Sequence, residues 1–455
     1  MEEQLALGTT ESFNNALKIY TDGAFSKSVA EVTLGSALTA NVPKGTPIMG
    51  KNAAGNQVAG NAYEDNAAGA TSIAIQYKTS DSQINYVGCQ VGAAVSPVTE
   101  GCFAAAGSFN IDGTSVEYSY DVATNNVAKR SMAGFSTAAQ KKMYECDNCP
   151  YSMYNKFYEY YGVHDYANQI VLAAFAGDET NFANFNNDFG LYQNDGKEQI
   201  IKKGTAYMVV WMYVIREMED ALDDCKENCT IENCNDDPVH AWDEAVAFYT
   251  GSLEGEDGGG SGKLAYALAD KRCSNYRTCG EFGSETTGTS AVNLKMFDAF
   301  NVGQAKITQG KCADARADKE TIETLMLIPL IQGTLRYAWK LDNEDYSQKT
   351  EAEGAIFAAG VLPAVHACDK NAAKTISTNM VVGNQGTVDF QAVKRAFEGT
   401  YECMGVDPAM VGGLYDAATG DYYAGAGPVG GSSAASMSTL VAAGIAAATS
   451  MVLFL

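Results

Sequence analysis

The hydrophobic period of this chain changes once, near Ser136, and that change limits the architectures open to it. Residues 28 to about 122 alternate apolar and polar positions, the period of a half-buried strand. The best runs are VAEVTL, SIAIQY, INYVGCQV and VEYSYDV. Beyond Ser136 the apolar residues recur at helical spacing. YANQIVLAAFAG, GTAYMVVWMYVIREMEDALDDC, HAWDEAVAFYTG, KLAYALADKRC, ETIETLMLIPLIQGTLRYAWKL, EAEGAIFAAGVLPAVHAC and DFQAVKRAFEGTYECM all read as amphipathic or buried helices. Strands first and helices after predict the α+β class: a mostly β module over residues 1–135, then a mainly α-helical bundle domain. Asp112-Gly113 between GSFNI and TSVEYSY predicts a tight hairpin, because Asp-Gly tolerates the positive φ of a type I′ turn.

The twelve cysteines are an even set, read as disulfides of an exported protein, with Cys89 and Cys102 placed to staple the β module. Close spacings at Cys146-Cys149, Cys225-Cys229-Cys234 and Cys273-Cys279 leave zinc knuckles as the alternative, although no matched CxxC pair occurs.

The helical part carries an internal repeat. Tyr158, Glu159, Gly162, Val163, Gly177 and Asp178 reappear ungapped at Tyr401, Glu402, Gly405, Val406, Gly420 and Asp421. Glu244, Phe248, Gly251 and Leu253 align with Glu353, Phe357, Gly360 and Leu362, and Arg216 with Arg336. A duplicated bundle, 136–290 and 291–420, is the expectation. Met404 and Asp407 stand where the first copy has Tyr161 and His164, so one competent site is expected.

The ends give a conflicting address. After Asp421 no charge occurs, and a small-residue spacer leads into the apolar run TLVAAGIAAATSMVLFL. That pattern over 421–455 predicts a GPI-attachment signal. A transmembrane helix is the rival, but Thr439–Leu455 spans only ~25 Å at 1.5 Å per residue and no cation follows it. MEEQLALGTTESF has no apolar leader core, so the expected secretory signal is not visible. The Asn228-Cys229-Thr230 sequon fits export.

Charge and side-chain inventory narrow the function. Fifty-five acidic against thirty-one basic residues give a net charge of −24, which repels phosphate backbones and excludes nucleic acid as a partner. Three histidines, without HExxH or paired ExxH, exclude the common zinc-protease and di-iron patterns. GEDGGGSGK fails as a phosphate loop, with Asp257 at the first Gly position and Leu264 after the Lys. No GxSxG elbow occurs, and nothing asks for an enzyme.

Hard donors remain. FYEYYGVHDYA, 157–167, gathers tyrosines, a His and an Asp around a helix-breaking Gly, a donor set suited to ferric iron. A bound metal also drives deprotonation of a phenol that otherwise keeps its proton to about pH 10. His240 and Glu244, one helical turn apart, form a second candidate with Tyr249. The expected metal ligands are therefore Tyr161, His164, Asp165, Tyr166, His240, Glu244 and Tyr249. Arg216 or Arg272 is expected to hold a planar anion such as carbonate. Each pattern has a plain structural alternative: an aromatic helix face, a surface His–Glu pair, an Arg–Glu clamp. Glu320-Thr-Ile-Glu323 is a weaker iron-type pattern, common on solvated helices.

The run GCFAAAGSFNIDG…FSTAAQKKMYECDNCPYSMYNKFYEYYGVHDYANQIVLAAFAG, with AWDEAVAFYTGSLEG and YALADKRCSNYRTCG, resembles the algal iron-assimilation proteins over roughly residues 85 to 420. These are the high-CO2- and iron-deficiency-induced periplasmic proteins of green algae and the phytotransferrins of diatoms. The resemblance implies a cell-surface or periplasmic protein that captures Fe3+ with carbonate as synergistic anion. It further implies delivery to a ferric reductase or the endocytic machinery. An exported helical metallopeptidase-like or redox protein of imelysin type, and a structural cell-surface protein, are the alternatives.

Overall fold

The computed structural model describes residues 1–23, 28–77, 88–89, 91, 99–123, 130–227, 237–251, 253–254, 260–384 and 386–430. Most of INYVGCQV, the Asn228 sequon, Cys229, Cys234 and the apolar tail from 431 lie outside them. Among the described residues no helix is long and apolar enough to cross a membrane. The chain divides into two compact units, Met1–Glu217 with Ala247–Gly259, and Met218–Val246 with Gly260–Leu455.

The first unit opens with two helices, α1 (Glu2–Ala6) and α2 (Thr10–Asp22), the latter begun by a Thr9–Ser12 capping box. Six strands follow: β1 (Ser28–Leu34), β2 (Pro47–Lys51), β3 (Gln57–Ala62), β4 (Ser72–Tyr77), β5 (Ala106–Ile111) and β6 (Thr114–Ser119). They pair antiparallel in the order β1-β4-β3-β2-β5-β6, and β1 closes the barrel by pairing with β6 at Thr33 and Leu34. Alternate residues fill the interior, among them Val32, Ile48, Ile75, Phe109, Val116 and Tyr118, packed around Phe103. The Cys89–Cys102 disulfide sits in that core, as the spacing predicted. Asp112 and Gly113 both take positive φ, 46° and 85°, in the two-residue turn between β5 and β6.

Helices α3 (Met132–Thr137), α4 (Ser152–Tyr161), α5 (Tyr166–Ala176) and α6 (Asn194–Gly204) complete this unit, with α7 (Trp211–Glu227) as far as Glu217. A π-helical stretch at Gln140–Tyr144 follows α3, and another at Thr205–Val210 joins α6 to α7. The N-terminal helix α2 belongs with these helices: Phe13 and Tyr20 both pack on Phe175 of α5. The Tyr20 hydroxyl donates to Asn168 Oδ1 at 3.2 Å.

The second unit holds α8 (Pro238–Thr250) as far as Val246, α9 (Ala265–Tyr276), α10 (Ala291–Thr308), α11 (Cys312–Asn343), α12 (Gln348–Cys368), α13 (Lys370–Met380) and α14 (Phe390–Glu398). Two short helices, α15 (Tyr401–Met404) and α16 (Pro408–Val411), precede a small hairpin of β7 (Tyr415–Asp416) and β8 (Asp421–Tyr422). Disulfides Cys225–Cys312 and Cys368–Cys403 tie distant helices, and Cys273–Cys279 closes the turn after α9. With Cys146–Cys149 also bonded, these thiols are disulfides and not zinc ligands.

The repeated positions occupy unlike surroundings. Gly162 and Gly405 both end a helix in the left-handed region, at φ 78° and 70°. Gly177 then ends the 11-residue α5, whereas Gly420 belongs to the β7–β8 turn. The Glu244 side chain is 42% accessible, and Glu353 is 9%.

In the second unit α11 and α12 are the central pair, and small residues let them approach. A Cβ on Gly333 would lie 2.7–2.9 Å from ring carbons of Phe357, itself 1% accessible. Gly333→Ala therefore displaces a packed ring and costs about 1–3 kcal/mol. Denaturant unfolding of the variant should show a lower midpoint with an unchanged slope.

Candidate metal-binding site

Gly162 shapes the candidate region. Its positive φ ends α4 at Tyr161, and its N–H is donated to the Tyr158 carbonyl at 2.7 Å. Val163, His164 and Asp165 then form the turn into α5, which starts at Tyr166. The i, i+4 spacing puts Tyr154 and Tyr158 on one face of α4.

His164 lies in an aromatic box made by that face. Tyr158 stacks on its ring at 4.3 Å and 11°. Tyr154 lies nearly parallel at 6.4 Å, and Tyr144 meets it edge-on at 4.7 Å. The Tyr154 hydroxyl donates to the His164 carbonyl at 2.8 Å and lies 3.2 Å from Nδ1. Both contacts are satisfied together when Nδ1 carries the proton, which leaves Nε2 with its lone pair. Burial pushes the Tyr154 phenol pKa up, and Asp165, Tyr158 and Tyr144 push it the same way. Tyr158, Tyr144 and His164 are half-buried.

Asp165 is fixed at the turn. Its Oδ1 accepts from Gln169 Nε2 at 2.6 Å and its Oδ2 from Asn168 Nδ2 at 3.3 Å. A small cavity lies beside the box, lined by Met143, Tyr154, His164, Tyr166, Ala167 and Met208, with room for about one water.

The other expected ligands are placed differently. Tyr161 is fully buried, stacked on Tyr166 at 4.9 Å and edged by Tyr160 and Phe182. Burial raises both the Tyr161 and Tyr166 phenol pKa values well above their ordinary value. Ionising either inside that core carries the desolvation cost of a buried anion. Tyr249 is also buried in the first unit. His240 and Glu244 belong to the second unit, where Nε2 and Oε1 lie 3.7 Å apart with both side chains exposed. Tyr154, Tyr158 and Tyr144 are not among the expected ligands. The four-residue step from Tyr154 to Tyr158 is the signal for the first two, and nothing local marks the third.

The arginines also divide. Arg216, in the first unit, bonds Glu217 at 2.5 Å and lies over the Tyr213 ring. Lys142 lies over the same ring and donates to the Tyr213 hydroxyl at 3.3 Å. Arg272, in the second unit, is 2% accessible on α9. Glu219 takes Arg316 at 3.0 Å and Lys319 at 2.5 Å. Lys319 also bonds Glu323 at 2.7 Å. Glu320 is exposed while Glu323 is buried, so the two carboxylates of the ExxE pattern do not converge. Among the described residues no cluster of three or more His, Cys, Asp or Glu side chains is placed to hold a metal.

The sequence from residue 84 to 425 matches the family model of the low iron-inducible periplasmic proteins, Fea1. This chain belongs to the Fea1 family. No curated protein and no solved structure gives a match. The matched span takes in the His164 box, α4 to α14 and the four disulfides from Cys89–Cys102 to Cys273–Cys279, together with Cys368–Cys403. Fea1 membership ties the chain to iron supply and to the periplasmic side of the cell.

Lys319 tests how the Fea1 chain handles buried charge. Burial alone would lower its pKa, but Glu323 and Glu219 outweigh burial and raise it. The stabilisation is complete below the ordinary lysine range and is lost as pH climbs through the raised value. Lys319→Met leaves two carboxylates facing each other in the core and should cost about 3–5 kcal/mol, read by chemical denaturation at pH 7.

Proposed function

We propose that this Fea1 chain is a cell-surface protein of high-affinity iron uptake that binds Fe3+ with carbonate as synergistic anion, and that it is not an enzyme. The observation that carries the reading is the tyrosine box around His164, in a chain whose family is defined by its response to low iron. Phenolate and carboxylate oxygens are the hard donors a small trivalent cation prefers, and one imidazole adds a borderline donor.

Tyr158, Tyr144 and His164 are the ligands with access, and Asp165 supplies the nearby carboxylate. Tyr154 positions His164 through its backbone carbonyl and Nδ1, as a second layer does around a metal. Arg216 is the expected anion-binding arginine that shares a unit with these tyrosines. Iron loading must displace phenol protons, so affinity falls as pH falls. Acidification then protonates carbonate as well and frees the ion, which suits delivery to a reductase or an endocytic compartment. Membrane attachment through the C-terminal segment remains part of this proposal.

The test is a ferric titration followed by visible absorbance. Bicarbonate should bring up a tyrosinate-to-iron charge-transfer band that bleaches near pH 5. His164→Ala should weaken iron affinity by roughly ten- to a hundred-fold. Tyr158→Phe should reduce the band, and Glu244→Ala, in an exposed pair, should leave it unchanged. Equal binding of ferric and divalent ions, with or without bicarbonate, would overturn the reading.

A further inference from the structure

The small cavity beside the His164 box has a donor set of its own. Met143, Met208 and Met212 line it together with Tyr154, His164 and Tyr166, and all six residues belong to the first unit. Met143 lies in the π-helical stretch after α3, Met208 in the one that leads into α7, and Met212 one turn further on. π-Helical turns are rare and recur at functional sites, and here each of these two delivers a methionine to one cavity. All three methionine side chains are buried.

Methionine commonly fills irregular gaps in a core. Here the gap stays open between three of them, although interiors pack with few voids as large as a water. Tyr166 points to a polar or charged guest. Its side chain is 2% accessible and lines the cavity, and among the described residues its hydroxyl makes no hydrogen bond. A buried phenol without a partner is costly, and an enclosed water or ion is what relieves it. A water needs two to four polar partners, and the lining is poor in them. The Tyr154 hydroxyl already donates to the His164 carbonyl, and the Ser136 hydroxyl already accepts from the Asn168 N–H. Thioethers are weak hydrogen-bond acceptors but good ligands for a soft ion.

We propose that this cavity is a site for a soft monovalent cation, Cu+ by its chemistry, held by the thioethers of Met143, Met208 and Met212 with the His164 imidazole alongside. Thioether sulfur selects Cu+ over hard ions such as Mg2+, Ca2+ or Fe3+. The described lining carries no carboxylate, which favours a single positive charge over two or three in so enclosed a place. The site needs neither Fe3+ nor carbonate and so goes beyond the uptake reading. His164 borders both sites, so the test varies the methionines and not the histidine.

The test uses the iron-free full chain labelled with [methyl-13C]methionine in chloride-free nitrate buffer, titrated with Ag+ as the redox-inert counterpart of Cu+. The methyl signals of Met143, Met208 and Met212 should shift together and saturate at one equivalent, while the other twelve of the fifteen methionines hold still. Met143→Leu, Met208→Leu and Met212→Leu, which conserve core volume, each delete and so assign one signal. Each variant should also bind Cu+ roughly ten-fold or more weakly, read anaerobically by competition with bicinchoninate. If one variant does not fold, the other two decide the matter. No shift at all, which is the result for a bound water only, would overturn the site. So would shifts confined to other methionines, or Cu+ affinity unchanged in the variants. Neither readout contains Fe3+, so failure here leaves the uptake reading standing, and failure of the ferric titration leaves this site standing.

Discussion

Desolvation decides what each tyrosine and each charge in this chain is able to do. Tyr161 and Tyr158 are three residues apart on the same helix, yet one is sealed in an aromatic core and the other is half-exposed against His164. A phenol inside the core keeps its proton because its anion has no water and no cation to face. A phenol at the edge is able to exchange that proton for a metal. The same constraint sorts the charges. Lys319 survives burial because two carboxylates bracket it.

Backbone rules were legible in the sequence because they act over a few residues. Alternation located β1, β4 and β6, Asp112-Gly113 located the hairpin, and apolar spacing located α5, α8, α9, α11 and α12. Two strands escaped. β2 is only PIMGK and β3 is QVAGNA, short and rich in small residues, with a weak apolar signal on either face. Closure of the barrel also escaped, since it depends on β1 pairing with both β4 and β6 across more than forty residues of chain. The helix at Thr10–Asp22 packs its aromatic residues on α5, a tertiary contact that local pattern does not encode.

The site was half legible for a related reason. A Gly between helices with His and Asp beside it marks a turn that presents side chains, and Gly162 does take the left-handed conformation there. Density of tyrosine in sequence, however, does not say which ring faces in. On α4 a rotation of one hundred degrees per residue sends Tyr160 and Tyr161 into the core and leaves Tyr158 beside the histidine. Tyr144 arrives from the π-helical stretch after α3, on the far side of the Cys146–Cys149 bond. Matching letters in the repeat mislead in the same way. Glu244 and Glu353 align, but the first carboxylate is exposed and the second buried, so they meet different chemistry.

A net charge of −24 and fully buried cations, Lys319 and Arg272, occur in the same chain. A surface with excess negative charge attracts cations and repels anions at long range. A charge enclosed in a helical unit acts over a longer reach, because low dielectric strengthens it while screening by salt falls away. The disulfides then matter for geometry as well as stability. Cys273–Cys279 fixes the end of α9, the helix that carries Lys271, Arg272 and Tyr276, and Cys368–Cys403 fixes the end of α12, which carries Lys349 and Glu353.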